Sequence, residues 1–292
     1  MLELISRNRK VYTRDRMAFF MSFLSVIILI LVYQVFLGQI QIDAIKAALH
    51  SDKVSSDTIQ MVNYWLIAGL TTIVSMTGTL GAFGVMVADR EKKLSEDFKV
   101  SPMPNSAIEL SYAIFAILFG IMLTMFSCLF AIGIFNGFSS LLDFSATDYL
   151  RMLSIISLGT VLSAAIVLPI LAFIQSSSAF TTLSTIVGTF IGFISGVYLS
   201  IGSVGKTLQQ VMTWFPLTQI NALLKQVLMK DSLKSVFDKA DSSIVTDYKE
   251  SYGLVLKDAG GKALSNQFML VYCLIIIVAF LVLHFVIKKV KK

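Results

Sequence analysis

Five stretches of this chain carry no Asp, Glu, Lys or Arg: 17 to 42, 58 to 88, 110 to 142, 152 to 205 and 263 to 287. A helix crossing a hydrocarbon core about 30 Å thick needs roughly 20 mainly apolar residues, so each run holds at least one crossing. The run from 152 to 205 has room for two, and the polar turn Gln175, Ser176, Ser177 and Ser178, shortly after Pro169, marks the division. Six helices are therefore expected, near 18–37, 62–88, 110–136, 151–174, 180–201 and 267–287. Hydrophobic residues make up 56% of the 292 and charged residues 14%, more apolar surface than one water-soluble core could hide. The expected fold is an all-α membrane protein, one transmembrane domain over residues 1–292.

Orientation follows from basic residues close to the span ends, because Lys and Arg are retained in the cytoplasm. Arg7, Arg9, Lys10, Arg14 and Arg16 precede the first span, Arg90, Lys92, Lys93 and Lys99 follow the second, and Lys288, Lys289, Lys291 and Lys292 follow the sixth. Six spans put all three clusters on one side, with both termini cytoplasmic. The loop at 137–150 has no Lys or Arg and suits the outside. So does the long segment 203–266, since long translocated segments largely escape the rule. The first apolar run exceeds a secretory h-region and has no small-x-small pattern at Leu37, Gly38 and Gln39, so it is expected to stay as a span. Before it, Met1, Leu4, Ile5, Val11 and Tyr12 share one helical face and Glu3, Arg7, Lys10 and Arg14 another, which predicts an interfacial helix over 1–17.

Residues 207–224 also lack formal charge, but Gln209, Gln210, Thr213, Thr218, Gln219 and Asn221 would be expensive in lipid. From Pro216, suited to a first helical position, Ile220, Leu223, Leu224, Val227 and Leu228 recur at helical spacing. That predicts an amphipathic helix lying on, or dipping into, the outer face, with Pro216, Ile220 and Leu224 as its markers. The polar segment 230–262 reads equally as a small lid or a disordered loop.

The spans hold little chemistry. Ion-coupled transporters and membrane enzymes commonly bury Asp, Glu, His or Lys in the bilayer, whereas His284 is the one such residue within a predicted span, one turn from the terminal lysines, and is expected at the interface. Cys128 and Cys273 sit in spans as small apolar residues. Gly205, Lys206 and Thr207 imitate the end of a phosphate loop, but Ser200 stands where its first glycine belongs. No catalytic residue, metal site or bound cofactor is expected of this chain. Ser184, Gly188, Gly192, Gly196 and Ser200 recur every four residues and predict a smooth packing face on the fifth span, within one bundle or against a second chain.

The remaining feature is the charged island from Asp89 to Pro104, DREKKLSEDFKVSPMP. Leu94 and Phe98 fall on one side of a short helix with Lys92, Ser95, Glu96 and Lys99 on the other, and Pro102 and Pro104 end it. The runs Asp89, Arg90, Glu91, then Glu96, Asp97, Phe98, and Val100, Ser101, Pro102 resemble the loop between the second and third spans of ABC-2 type exporter permeases, whose usual form is close to E-R-E-x-G-T-L-E-x-L-x-V-[ST]-P. The run Phe215, Pro216, Leu217, Thr218 is similar to that family's outer-face helices before the last span. Lys93, Leu94 and Ser95 stand where the family form has Gly, Thr and Leu, so the turn inside the loop is expected to differ.

The resemblance implies a permease subunit of an ATP-dependent exporter in the bacterial cell membrane, with ATP and Mg bound by a separate cytoplasmic ATP-binding subunit. It implies that the loop 89–109 couples to that subunit, with Asp89, Arg90, Glu91, Glu96, Phe98 and Pro102 as its coupling residues, Glu91, Glu96, Phe98 and Pro102 docking, and Arg7, Tyr12 and Arg14 on the interfacial helix. It also implies a second permease copy or paralogue. The uncharged spans suit an amphiphilic substrate such as a drug, toxin, peptide or lipid-like molecule, with membrane lipid as a further partner and no nucleic acid. Polysaccharide or teichoic acid export is the alternative within the family. An ion-coupled secondary transporter is the alternative outside it, and a membrane-embedded enzyme comes third.

Overall fold

The computed structural model describes residues 1–17, 19–24, 26–28, 30–32, 43, 55–94, 104–238 and 240–290. Twelve α-helices are named here: α1 Leu2–Arg14, α2 Phe19–Val32, α3 Ser56–Ala82, α4 Gly84–Glu91, α5 Asn105–Asn136, α6 Ala146–Leu171, α7 Ser177–Ile194, α8 Lys206–Trp214, α9 Pro216–Leu228, α10 Lys230–Val236, α11 Ser242–Ser251 and α12 Asn266–Val290. Among the described residues there is no strand, only an isolated bridge between Lys257 and Ala263. Five helical stretches, α3 running on through α4, α5, α6, α7 and α12, are long and apolar enough to cross a membrane, and α1 with α2 makes a sixth if that bent pair counts as one. The protein is an all-α membrane protein, as its charge-free runs predict; the last part of the expected first span, 33–37, lies outside the described residues.

Helix starts follow local chemistry. Ser55 Oγ accepts from the Thr58 amide at 3.2 Å ahead of α3, and Ser176 Oγ from the Ala179 amide at 3.3 Å ahead of α7. Ser145 and Asp148 form a reciprocal capping box that opens α6. Each satisfies amides that the first turn leaves without an intrahelical partner. Ser176 thus makes the polar turn a true division between the fourth and fifth spans.

The core is centred on α3, which packs against α5, α6, α7, α9 and α10. The membrane-length stretch of α3 is 83% buried, against 17% for α12 and 11% for α7, so α3 is the axle and those two are outer helices. Thr71, Thr72, Ser75 and Thr79 lie in this core, and their hydroxyls donate to carbonyls three or four residues back at 2.6–2.9 Å. Such back-bonding satisfies hydroxyls where water is absent. At Gly120 of α5 a Cβ would lie 2.4 Å from Thr79 Oγ1, so the two helices meet at a distance that excludes any larger residue.

The fifth span is shorter than the expected 180–201. It stops at Ile194 because Gly196 takes φ +68, and the Gly196 and Val197 amides fold back onto the carbonyls of Phe193 and Gly192 at 3.4 and 3.0 Å. This is a glycine-terminated Schellman turn. Ser184, Gly188 and Gly192 are helical, with Gly188 toward Thr77 of α3, but Gly196 and Ser200 lie beyond the helix and leave the four-residue repeat. Gly192 faces its own chain: a Cβ there would sit 2.2 Å from the Tyr198 ring.

The region after α7 also departs from a simple surface helix. Helix α9 packs among α3, α6 and α12, with Leu217, Ile220, Leu224 and Leu228 buried together with Thr218, Gln219, Asn221 and Lys225. Ile220 approaches Gly159, thirteen residues into α6. With α8 it forms a hairpin that dips into the bundle, Pro216 opening the returning arm. The polar residues are tolerable because the broken end of α7 needs donors: Thr218 Oγ1 donates to the Ile194 carbonyl at 3.2 Å and Asn221 Nδ2 to the Ser195 carbonyl at 3.0 Å. Segment 230–262 is the folded alternative of the two expected, with α10, α11 and a turn whose Leu254 and Leu256 are buried.

Candidate functional site

The end of the bundle that carries α4 holds a connected set of charged side chains. Arg7 of α1 donates through both terminal nitrogens to the Asp89 carboxylate, Nη2 to Oδ1 at 3.0 Å and Nη1 to Oδ2 in a closer contact. Tyr112 of α5 donates to Asp89 Oδ2 at 2.6 Å, and Asn8 Nδ2 to Ser111 Oγ at 3.3 Å. Asp89 is 3% exposed. A bidentate Arg–carboxylate pair with a third donor is the geometry in which a buried charge is compensated.

The next residue extends the set. Arg90 Nη1 donates to the Leu171 carbonyl at 2.6 Å, satisfying the frayed end of α6 after Pro169, and its Nη2 lies 3.7 Å from Glu109 of α5. Glu109 in turn accepts from His284 Nε2 at 3.1 Å and from Lys288 Nζ of α12. Glu91 accepts from Ser177 at the start of α7. Through these few residues α1, α4, α5, α6, α7 and α12 are all tied at one end.

Tyr12 anchors the interfacial helix differently. Its ring packs 4.6 Å from Phe119 and 5.8 Å from Phe115, and its hydroxyl pairs with Ser22 at 2.7 Å. Arg14 is exposed.

The expected coupling residues therefore divide. Asp89, Arg90, Arg7 and Tyr12 take partners within the bundle, Asp89 buried and the other three half-buried. Glu91 and Arg14 stay exposed. Glu96, Phe98 and Pro102 lie outside the described residues. His284 is buried at 5% exposure against Glu109, which also takes Lys288, so it lies at the lysine-bearing end of α12 as its sequence position suggests. Glu109 and Tyr112 were not singled out by the sequence; the signal available was a lone acid immediately before a charge-free run.

Helix α4 ends in a turn where Lys93 has φ +60 and its amide donates to the Arg90 carbonyl at 3.0 Å. This is the left-handed backbone that glycine adopts without cost. The glycine of the family form is absent, yet at this residue the turn it would favour is present.

The profile of the ABC-2 type transporter family matches residues 1–229. Searches of curated proteins and of solved structures returned no match. The chain belongs to the ABC-2 type transporter family and is a membrane permease of an ABC transporter, a family that pairs with an ABC ATP-binding subunit. The matched region ends at Met229, the residue after α9, so the folded segment before α12 and α12 itself lie beyond it.

Proposed function

We propose that this permease exports an amphiphilic molecule, a drug, toxin, peptide or lipid-like compound, from a bacterial cell. The end carrying α1 and α4 faces the cytoplasm, and the end carrying the α8–α9 hairpin faces out. The observation that carries the coupling role is the Arg7–Asp89–Tyr112 clamp, with Arg90 and Glu109 beside it. A push on α1 or on α4 reaches five further helices through side-chain bonds.

In this reading the ATP-binding subunit, holding ATP and Mg, docks on the island at Glu91, Glu96, Phe98 and Pro102, with Arg14 of α1 alongside. Asp89, Arg90, Arg7 and Tyr12 transmit the movement behind that surface. Two permeases, copies or paralogues, work with two ATP-binding subunits. The charged groups described in the spans cluster toward their ends, and hydroxyls in the α3 core bond to its own carbonyls, which favours an amphiphile over a small ion as cargo.

The test is copurification. Phe98→Ala and Glu96→Lys should leave insertion into the membrane intact and reduce recovery of the ATP-binding subunit and ATP-driven export together. Full recovery and full export by both variants would defeat the docking assignment.

A further inference from the structure

Lys225 of α9 is 1% exposed, the only lysine among the described residues in the buried class. Its Nζ donates to the Tyr252 carbonyl at 2.9 Å and stands 4.7 Å from the centre of the Trp65 ring. The same carbonyl accepts from Trp65 Nε1 at 2.9 Å, and the neighbouring Gln226 Nε2 donates to the Leu254 carbonyl at 2.7 Å. A strap of chain over 252–254, turned by Gly253 at φ +70, is thereby laid across the ammonium. The strap is held at its other face by Lys249, whose carbonyl accepts from the Leu254 and Val255 amides at 2.8 and 3.0 Å.

An ammonium has three N–H donors, and an aromatic face is a weaker partner than a carboxylate. Among the described residues no carboxylate pairs with Lys225. On α3, Asp57 is taken by Ser235, and Tyr64 is the other titratable group on that stretch. On α6, Asp148 is taken by its own cap and lies near Arg151 and Lys230. In the segment above, Glu250 pairs with Lys257 at 2.6 Å, while Tyr248 and Tyr252 supply rings. On α12 the group is Cys273, which donates to the Pro216 carbonyl. A buried cation without a counter-ion costs free energy, and that cost is relieved when water reaches it. Water is close: an open cleft of about 670 Å³ is lined by Ser251 and Val255 on either side of the strap and by Ile201, which touches Gly253.

We infer that the strap 252–254 is a lid loaded against the uncompensated charge of Lys225, and that protonation of Lys225 favours its opening toward the cleft. Burial pushes the Lys225 ammonium down to about 7, whereas the hydrated amine of an open lid holds its proton to the ordinary lysine range, about 10.4. Between those limits the open form binds more protons, so acid favours opening and alkali favours closure. The lid belongs to this chain's own segment beyond the family match. The inference rests on the proposed function only in placing the lid outside the cell.

Amide hydrogen exchange of the full chain in lipid nanodiscs reads the lid directly, through peptides covering Leu254 and Val255. After correction for intrinsic exchange, opening should fall about tenfold from pH 6 to pH 8, as linkage between the two proton affinities requires. Lys225→Met should abolish that response and exchange more slowly than wild type at pH 6. Lys225→Arg, which keeps the charge, should exchange rapidly at both pH values. Wild-type exchange without a pH response, or the full response retained in Lys225→Met, would overturn the lid. Labelling of Ala259→Cys in cells by a membrane-impermeant maleimide tests the placement separately, because Cys128 and Cys273 are buried. Protection from the reagent would move the lid to the inner side and leave the exchange result standing.

Discussion

The two ends of the bundle are fastened by different chemistry. At the α4 end, acids and bases face each other: Arg7 with Asp89, and Glu109 with His284, Lys288 and, more distantly, Arg90. At the opposite end the ion pairs, Glu250 with Lys257 and Asp148 with Arg151 and Lys230, use basic side chains exposed at the surface, the buried amides and hydroxyls donate to carbonyls at helix ends, as Asn221 does to Ser195 and Asn63 to Phe135 at 3.1 Å, and the one deeply buried cation has a ring and a carbonyl for company. Paired charges fix a geometry, because losing the basic partner strands a buried acid such as Asp89. Carbonyl acceptors are more forgiving, since backbone ends can exchange donors with water when a segment lifts. If the α4 end is the driven one, as proposed above, the difference in bonding gives a stiff input and a yielding output.

The sharpest way to break this comparison is to remove the central acid. Asp89→Ala leaves Tyr112 without its acceptor and Arg7, part-exposed, without its carboxylate, so about 2–3 kcal/mol of stability should be lost. Thermal unfolding in detergent would reveal a large drop in midpoint and protease access to α1. A near wild-type midpoint would mean that the clamp is not the fastening it resembles.

A smaller loss, about 1–2 kcal/mol, is expected from Asn221→Ala, which takes the amide donor away from the Ser195 carbonyl. Exchange should rise at the α7–α8 junction while the α4 end is unaffected. A disturbance that spreads to Asp89 would show that the ends are not independently fastened.

The smallest effect runs the other way. Lys93→Gly should stabilise by about 1 kcal/mol, since a left-handed backbone costs a side chain of ordinary size roughly that much. Measured destabilisation would mean that the Lys93 side chain contributes more than its backbone costs.

Much of the membrane architecture was written in charge. The absence of Asp, Glu, Lys and Arg located α3 to α4, α5, α6, α7 and α12 to within a few residues at most of their ends, because lipid penalises every exception. The island was legible for the same reason. What escaped were features decided by contacts between distant segments. The run Gly188, Gly192, Gly196 has the same spacing whether the helix continues or turns back at Gly196, and only the meeting with Tyr198 and α9 decides it. Gln219 and Asn221 were correctly unsuited to lipid, but a polar residue that caps a broken helix and one that faces water look alike in sequence. Asp89 and Arg90 matched a docking motif, yet their direction depends on Arg7, over eighty residues earlier, and on the carbonyl of Leu171. Lys225 gave no signal at all, since an isolated lysine on a helix is ordinarily a surface residue.

The early stop of α7 bears on the lipid around the protein. Eighteen helical residues reach about 27 Å, whereas the 32 residues of α5 reach about 48 Å, against a hydrocarbon thickness near 30 Å. Beside α7 the bilayer is too deep for the helix it surrounds, and it adapts by thinning or by meeting the polar turn that follows Ile194. The hydrophobic distance along this flank is shorter than along α3, α5 or α6.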